Sequence, residues 1–170
     1  MDATRLWAAG LALGLAVAPA AAATFNVDTT ADVVDAVPGD GICATAGGDC
    51  SLRAAVQEAN ALAGPDEILL PAGIYLLTLG GPAEDASASG DLDVREALRL
   101  VGAGATSTVI DAGGASPVIE AGQALLPPPP GTLEIAGVTL RNGALQSGDG
   151  CDGVLSLPAA AGLCANGIGL

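Results

Sequence analysis

The feature that most limits what this chain can become is a pair of internal echoes. Leu98-Arg99-Leu100-Val101-Gly102 returns as Leu133-Glu134-Ile135-Ala136-Gly137. Val109-Ile110-Asp111-Ala112-Gly113 returns more loosely as Thr139-Leu140-Arg141-Asn142-Gly143. The first displacement is 35 positions and the second 30. Short apolar runs that recur at such a period and end on glycine mark stacked units, each burying its apolar face against the next. The unequal spacing fits a longer turn after Gly102 and an insertion, Pro127 to Pro130, that should be extended and solvated. Composition agrees. With one Phe, one Tyr and one Trp in the chain, the core must be built from Leu, Ile, Val and Ala, which suits thin repeated layers better than a core of large knobs.

Around these echoes lie further runs of strand length: Ile68 to Leu70, Ile74 to Leu79, Leu92 to Val94, and Val118-Ile119. Runs this short, apolar on both faces, suit parallel stacking. Thr24 to Val34 alternates weakly and predicts a first strand with Phe25, Val27, Val33 and Val34 turned inward. Gly80 to Gly90 is polar and small and predicts an excursion protruding from the stack. Asn142 suits a left-handed turn position, where its side chain bonds neighbouring backbone, a structural role of the kind that forms ladders in stacked units.

One helix precedes the strands. Leu52, Ala55, Val56, Ala59 and Leu62 form a single apolar stripe. Ser51 stands at the N-cap, and Gly64-Pro65 stop the helix. Some eleven residues are too few to hold a helix alone in water, so it should lie over one end of the stack. Leu52 and Val56 are expected to face the strands, with Arg53, Gln57 and Asn60 more exposed.

Cys50-Ser51-Leu52-Arg53-Ala54-Ala55, Gln57-Glu58-Ala59-Asn60-Ala61 and Leu70-Pro71-Ala72-Gly73-Ile74-Tyr75 together resemble the CSLREA-type N-terminal domain of secreted bacterial proteins. The similarity runs from Phe25 to about Gly143. It implies an all-β fold: a right-handed parallel β-helix, a solenoid of the pectin-lyase-like class. Here that means about four coils with one short N-terminal capping α-helix. The family carries Glu where this chain has Ala54. That Glu would sit three residues after the Ser, at capping-box spacing, so the cap here is expected to be weaker.

Met1 to Ala23 reads as a signal peptide: Arg5 as the positive region, Leu6 to Val17 as the apolar region, and Ala21-Ala22-Ala23 for cleavage before Thr24. Residues 24–66 then hold the N-terminal strand, the disulfide loop and the capping helix, and residues 67–170 hold the coils, incomplete at the C-terminus. Asp2 and Arg5 leave together, so the net charge stays at −14. Such a surface repels nucleic acid and anionic lipid. No nucleic-acid partner is expected, and no membrane contact after cleavage. In an exported chain, the four cysteines are read as two sequence-local disulfides, Cys43–Cys50 and Cys151–Cys164.

With no His, serine–histidine and metal–histidine catalysis are excluded. Carboxylate and arginine chemistry remains. Asp91 and Asp93, two apart on a strand, share a face. With Arg95, Arg99 and Asp111 they supply the residue types used by enzymes of the resembled class. They match none of its catalytic motifs, so no role is carried over. Asp32, Asp35, Asp40 and Asp49 crowd one loop, and Asp35, Asp40 and Asp49 are the candidates for calcium, although their spacing matches no calcium-binding loop; a basic partner or a salty environment would suit the acidity as well. The reading is therefore an adhesin-like structural module at the cell surface or secreted. The alternatives are a small or degenerate polysaccharide lyase or hydrolase, and a calcium-dependent carbohydrate-binding module. The partner class is a polysaccharide or cell-surface glycan. The tail from Ser147 to Leu170 reads as the start of another coil, which predicts self-association or a longer parent chain at that end.

Overall fold

The computed structural model describes residues 21–81, 84–121 and 133–144 and the backbone of residues 163–165. The fold is β-rich: short parallel strands in three sheets, with one α-helix among the described residues. The strands are β1 (Thr24–Asn26), β2 (Asp66–Leu70), β3 (Gly73–Leu76), β4 (Leu92–Val94), β5 (Leu98–Gly102), β6 (Thr108–Asp111), β7 (Ile119–Ala121), β8 (Leu133–Ala136), β9 (Thr139–Arg141) and β10 (Leu163–Ala165). The sheets run β1-β2-β5-β8, β3-β6-β9 and β10-β7-β4. From β2 to β7, each strand pairs with the strand three places later in the chain.

The echoes are the pairing registers. Leu98 to Val101 lie opposite Leu133 to Ala136, and Val109, Ile110 and Asp111 opposite Thr139, Leu140 and Arg141. A sheet whose register follows a repeat places like residues in columns. Phe25, Ile68, Leu100 and Ile135 form one such column, and Tyr75, Ile110 and Leu140 another. They meet Leu92, Val94 and Ile119 in one apolar cluster. The glycine that ends the first echo is required by stacking. A Cβ on Gly102 would lie 2.2 Å from the Gly137 carbonyl oxygen, and one on Gly137 would lie 2.4 Å from that of Gly102. On the opposite face of the four-stranded sheet, Arg99 pairs with Glu67 and Glu134, its register neighbours. Exposed pairs of this kind contribute little individually.

Asn142 is left-handed, at φ +55°. Its amide donates to Asp111 Oδ1 at 2.9 Å, and Arg141 Nε lies 2.8 Å from Asp111 Oδ2. The partner is thus an aspartate on the neighbouring strand. A hydrogen bond from the Gly113 amide, with the Asn142 and Arg141 contacts, holds the Asp111 carboxyl below the usual carboxylate range.

The helix α1 (Leu52–Ala61) has Ser51 as N-cap, accepting from the Ala54 amide at 3.0 Å, and Leu62 as C-cap. It lies against β2 and β4. The Cys43–Cys50 disulfide closes the loop before it. No helix of the described residues is long and apolar enough to cross a membrane.

Four expectations change. The first strand stops at Asn26, and Val33 and Val34 are exposed, because the chain leaves the sheet to wrap the helix. The run expected from Ile74 to Leu79 ends as a strand at Leu76, since the amides of Thr78 and Leu79 turn to the Asp32 carboxylate at 2.7 and 2.9 Å. The boundary between 66 and 67 falls inside β2, whose partner is β1, so the two segments share a sheet. The excursion after Gly80 folds back instead of protruding: Ser87 is fully buried. Pro127 to Pro130 and Cys151 lie outside the described residues, as does the side chain of Cys164, and with them the expected Cys151–Cys164 bridge.

Candidate functional site

The helix carries the surprise. Leu52 through Ala59 are all buried, Arg53 at 0% and Gln57 at 8% exposure, and Asn60 is half-buried. Arg53, Gln57 and Asn60 were expected on the solvent side. They are covered because two loops fold over that side, and each polar group has a partner in those loops or on β4 and the turn after it, as burial demands. Arg53 Nε meets Asp32 Oδ1 at 2.6 Å and its Nη2 meets Oδ2 at 3.2 Å. Its remaining N–H groups donate to the carbonyls of Ser87, Gly90 and Asp91 at 3.2, 2.8 and 3.1 Å. Gln57 accepts from the Asp35 amide at 2.8 Å and donates to the Ala86 and Ser87 carbonyls. The Glu58 carboxylate receives the amides of Gly39 and Gly41 at 2.6 and 2.9 Å. Asn60 spans Asp93 and Arg95, donating to the Asp93 carbonyl at 2.6 Å and accepting from the Arg95 amide at 2.8 Å.

This polar hub positions the chemistry-bearing groups. The loop it holds down brings Ser87 against Asp93. The Ser87 amide donates to Asp93 Oδ2 at 2.8 Å, and the Ser87 hydroxyl bridges the Asp93 amide and carbonyl at 2.7 and 3.0 Å. Ser87 adopts φ +53°, an uncommon conformation for a residue with a side chain, and these bonds fix it there. Asp93 lies opposite Glu120 in the β4–β7 register, and Asp91 joins them: one oxygen from each falls within 4.8 Å of the others. Burial, opposed by the Ser87 amide and reinforced by the charges of Asp91, Glu84 and Glu120, pushes the Asp93 carboxyl up to about 7.

The arrangement can hold a proton shared among carboxylates near neutral pH, or a hard cation. All-oxygen donors are what calcium and magnesium take, and calcium uses six to eight. With Asp93 Oδ2 already bonded to Ser87, three carboxylates leave the balance to carbonyls or water. The pairing of Asp91 with Asp93 on one face agrees with the i, i+2 reading. The rest of the candidate catalytic set is dispersed. Arg95 pairs with Asp85 at the surface, Arg99 belongs to the four-stranded sheet, and Asp111 to the β3-β6-β9 sheet.

The calcium candidates are not brought together. Asp35 gives its two oxygens to the amides of Val37 and Ala44, both at 2.8 Å. Asp40 accepts from Ile42, and Asp49 is exposed. Among the described residues, the acidic group that converges is Asp91, Asp93 and Glu120.

Asp32, read with the acidic loop, serves Arg53 instead, and sequence reasoning missed Glu58, Ser87 and Glu120. For Glu120 a signal existed: Leu92-Asp93-Val94 and Ile119-Glu120-Ala121 are a third echo, apolar–acid–apolar, and they are register partners. Comparison of the chain with protein-family models, with curated proteins and with solved structures finds no match.

Proposed function

We propose that this chain is an exported right-handed β-helix module with a structural or adhesive role, secreted or held at a cell surface, resembling CSLREA-type domains. The observation that carries the reading is the pairing of every third strand in parallel, which is what a chain wound through three faces per turn produces. The disulfide fits an oxidising compartment. Dispersal of Arg95, Arg99 and Asp111 away from the Asp91–Asp93 pair supports a non-catalytic role over a polysaccharide lyase or hydrolase. The convergence of Asp91, Asp93 and Glu120 favours one second reading, a calcium-dependent glycan-binding module.

The test is incubation of the exported protein with a panel of acidic polysaccharides, with and without calcium. The expected outcome is retention on a surface or glycan that survives chelation, with no new unsaturated or reducing ends. Chelation-sensitive retention would favour the second reading. Product formation would overturn the non-enzymatic reading.

A further inference from the structure

The mouth of the four-stranded sheet holds a carboxylate out of proportion to its surroundings. Asp66, the first residue of β2, is 1% exposed, and the other side chains at the head of that sheet are apolar. One oxygen, Oδ1, accepts the Ala23 amide at 2.7 Å. The other, Oδ2, is buried without a hydrogen-bond partner. A buried carboxylate with one neutral donor is expensive in any fold. Burial accordingly raises the Asp66 carboxyl above its ordinary value, with the Ala23 amide opposing the rise.

The donor is the residue at which the chain enters the fold. Ala21 and Ala22 are exposed, whereas Ala23 is half-buried, packs on the apolar cluster, and accepts the Glu67 amide through its carbonyl at 2.9 Å. It also lies in the alanine run read as the end of a signal peptide. Besides Ala18-x-Ala20, which cuts before Ala21 and leaves Ala23 a neutral donor, two small-x-small frames are available there: Ala21-x-Ala23, cutting before Thr24, and Ala20-x-Ala22, cutting before Ala23. Of these two, the first frame discards Ala23. It removes the partner of Asp66 Oδ1 and the acceptor of the Glu67 amide in one step. The second frame keeps both and places a cation where the neutral donor stands.

We infer that the chain is processed between Ala22 and Ala23, and that the freed α-ammonium of Ala23 forms a buried ion pair with Asp66. This rests on the export reading above and moves the cut by one residue from the frame that sequence alone favours. Hydrolysis breaks the Ala22–Ala23 peptide bond and consumes one water. The carboxylate stays on Ala22 and the ammonium on Ala23. That nitrogen then has three N–H groups instead of one. It can turn one toward Oδ2 while keeping Oδ1, and its charge matches the buried carboxylate. Glu67, the nearest other acid along β2, is engaged by Arg99 and does not compete.

The chain has no lysine, so a processed molecule carries one primary amine, and amine-reactive labelling reads that group alone. The exported protein from a secreting bacterial host is taken for intact mass, and its labelling rate is followed against pH, folded and in urea. The expected result is a mass beginning at Ala23 and an amine that titrates at least one unit above the usual ~7.7–8.0. In folded protein this slows labelling at neutral pH about tenfold. Burial without an ion pair would move the amine the other way, so the sign of the shift decides. Asp66→Asn should return the amine to its ordinary titration. If that variant does not fold, the wild-type pH profile still decides. A mass beginning at Thr24, Ala22 or Ala21 overturns the site and leaves the export reading standing. Residues 1–22 still attached sinks both. An amine titrating at or below its ordinary value overturns the ion pair even if the cut is where we place it.

Discussion

The stacked strands and the helix with its loops are built on opposite principles. In the strands, residues touch their own repeats. Leu100 sits between Ile68 and Ile135, and Ile110 between Tyr75 and Leu140. The contacts are apolar, numerous and interchangeable. Around the helix, single polar side chains reach backbone groups far along the chain: Arg53 to Gly90 and Asp91, Glu58 to Gly39 and Gly41. Those contacts are few and specific. A stack tolerates an imperfect layer because the next layer still buries it. A buried guanidinium tolerates nothing, since each lost partner leaves an unsolvated charge or carbonyl.

The difference predicts where the molecule breaks. Arg53→Ala should be the most damaging single change in the helix region. It leaves the nearly fully buried Asp32 carboxylate without its cation and takes the guanidinium donors away from the carbonyls of Ser87, Gly90 and Asp91, of which Ser87 retains Gln57. Breaking a buried pair this way costs about 3–5 kcal/mol, read as a fall in the urea midpoint. Arg53→Lys should recover only part of it, because an ammonium cannot reproduce the fork. A loss under about 1 kcal/mol on the scale of an exposed pair would mean the hub does not hold the loops. Leu100→Ala should cost somewhat less, about 2–5 kcal/mol with the size set by how far the column collapses. Its signature should also differ. The denaturant slope should be unchanged, whereas Arg53→Ala should release the 84–91 loop to protease before global unfolding. If both variants expose the same early cleavage sites, the two regions are one cooperative unit and the contrast fails.

That contrast also decides what could be read from the sequence. The helix start, the Ser51 cap, the Cys43–Cys50 bridge, the left-handed Asn142 and the registers of β5 with β8 and β6 with β9 were legible, because each depends on neighbours or on a repeat; the helix itself ends at Ala61, before the Gly64-Pro65 signal. The burial of Arg53, Gln57 and Asn60 was not. Their partners are mainly backbone amides and carbonyls some thirty residues away, and every residue carries those groups, so no letter marks them. Periodicity alone placed the three on the wet side. The same blindness sent the Gly80 to Gly90 segment outward and selected Asp35, Asp40 and Asp49 on local crowding. Backbone amides of that crowded loop occupy both oxygens of Asp35 and one of Asp40.

The smallest predicted effect probes the seam between the two regions, where the helix-held loop meets the strand-borne carboxylates. Asp93 titrates at about 7 in the folded protein and ordinarily at 3.8. Between those values the folded chain holds a proton that the unfolded chain has released, so stability must fall as pH rises across that window. The contribution is fully present below about pH 4 and is lost as pH rises through about 7. Asp93→Asn keeps a side-chain oxygen for the Ser87 amide and leaves the Asn60 and Ser87 contacts to the Asp93 backbone in place. It removes only the titration. Wild type should therefore lose about 1–3 kcal/mol relative to Asp93→Asn between pH 5 and pH 8, measured by urea denaturation at matched ionic strength. Asp66, also raised by burial, is present in both proteins and cancels in the difference. Calcium taken up by Asp91, Asp93 and Glu120 would hold these groups ionised, so saturating calcium should flatten the wild-type curve and leave the variant's unmoved. Parallel curves for the two proteins without calcium would mean that the loop does not seal Asp93 from water, and that the polar hub does not extend its grip to the strands.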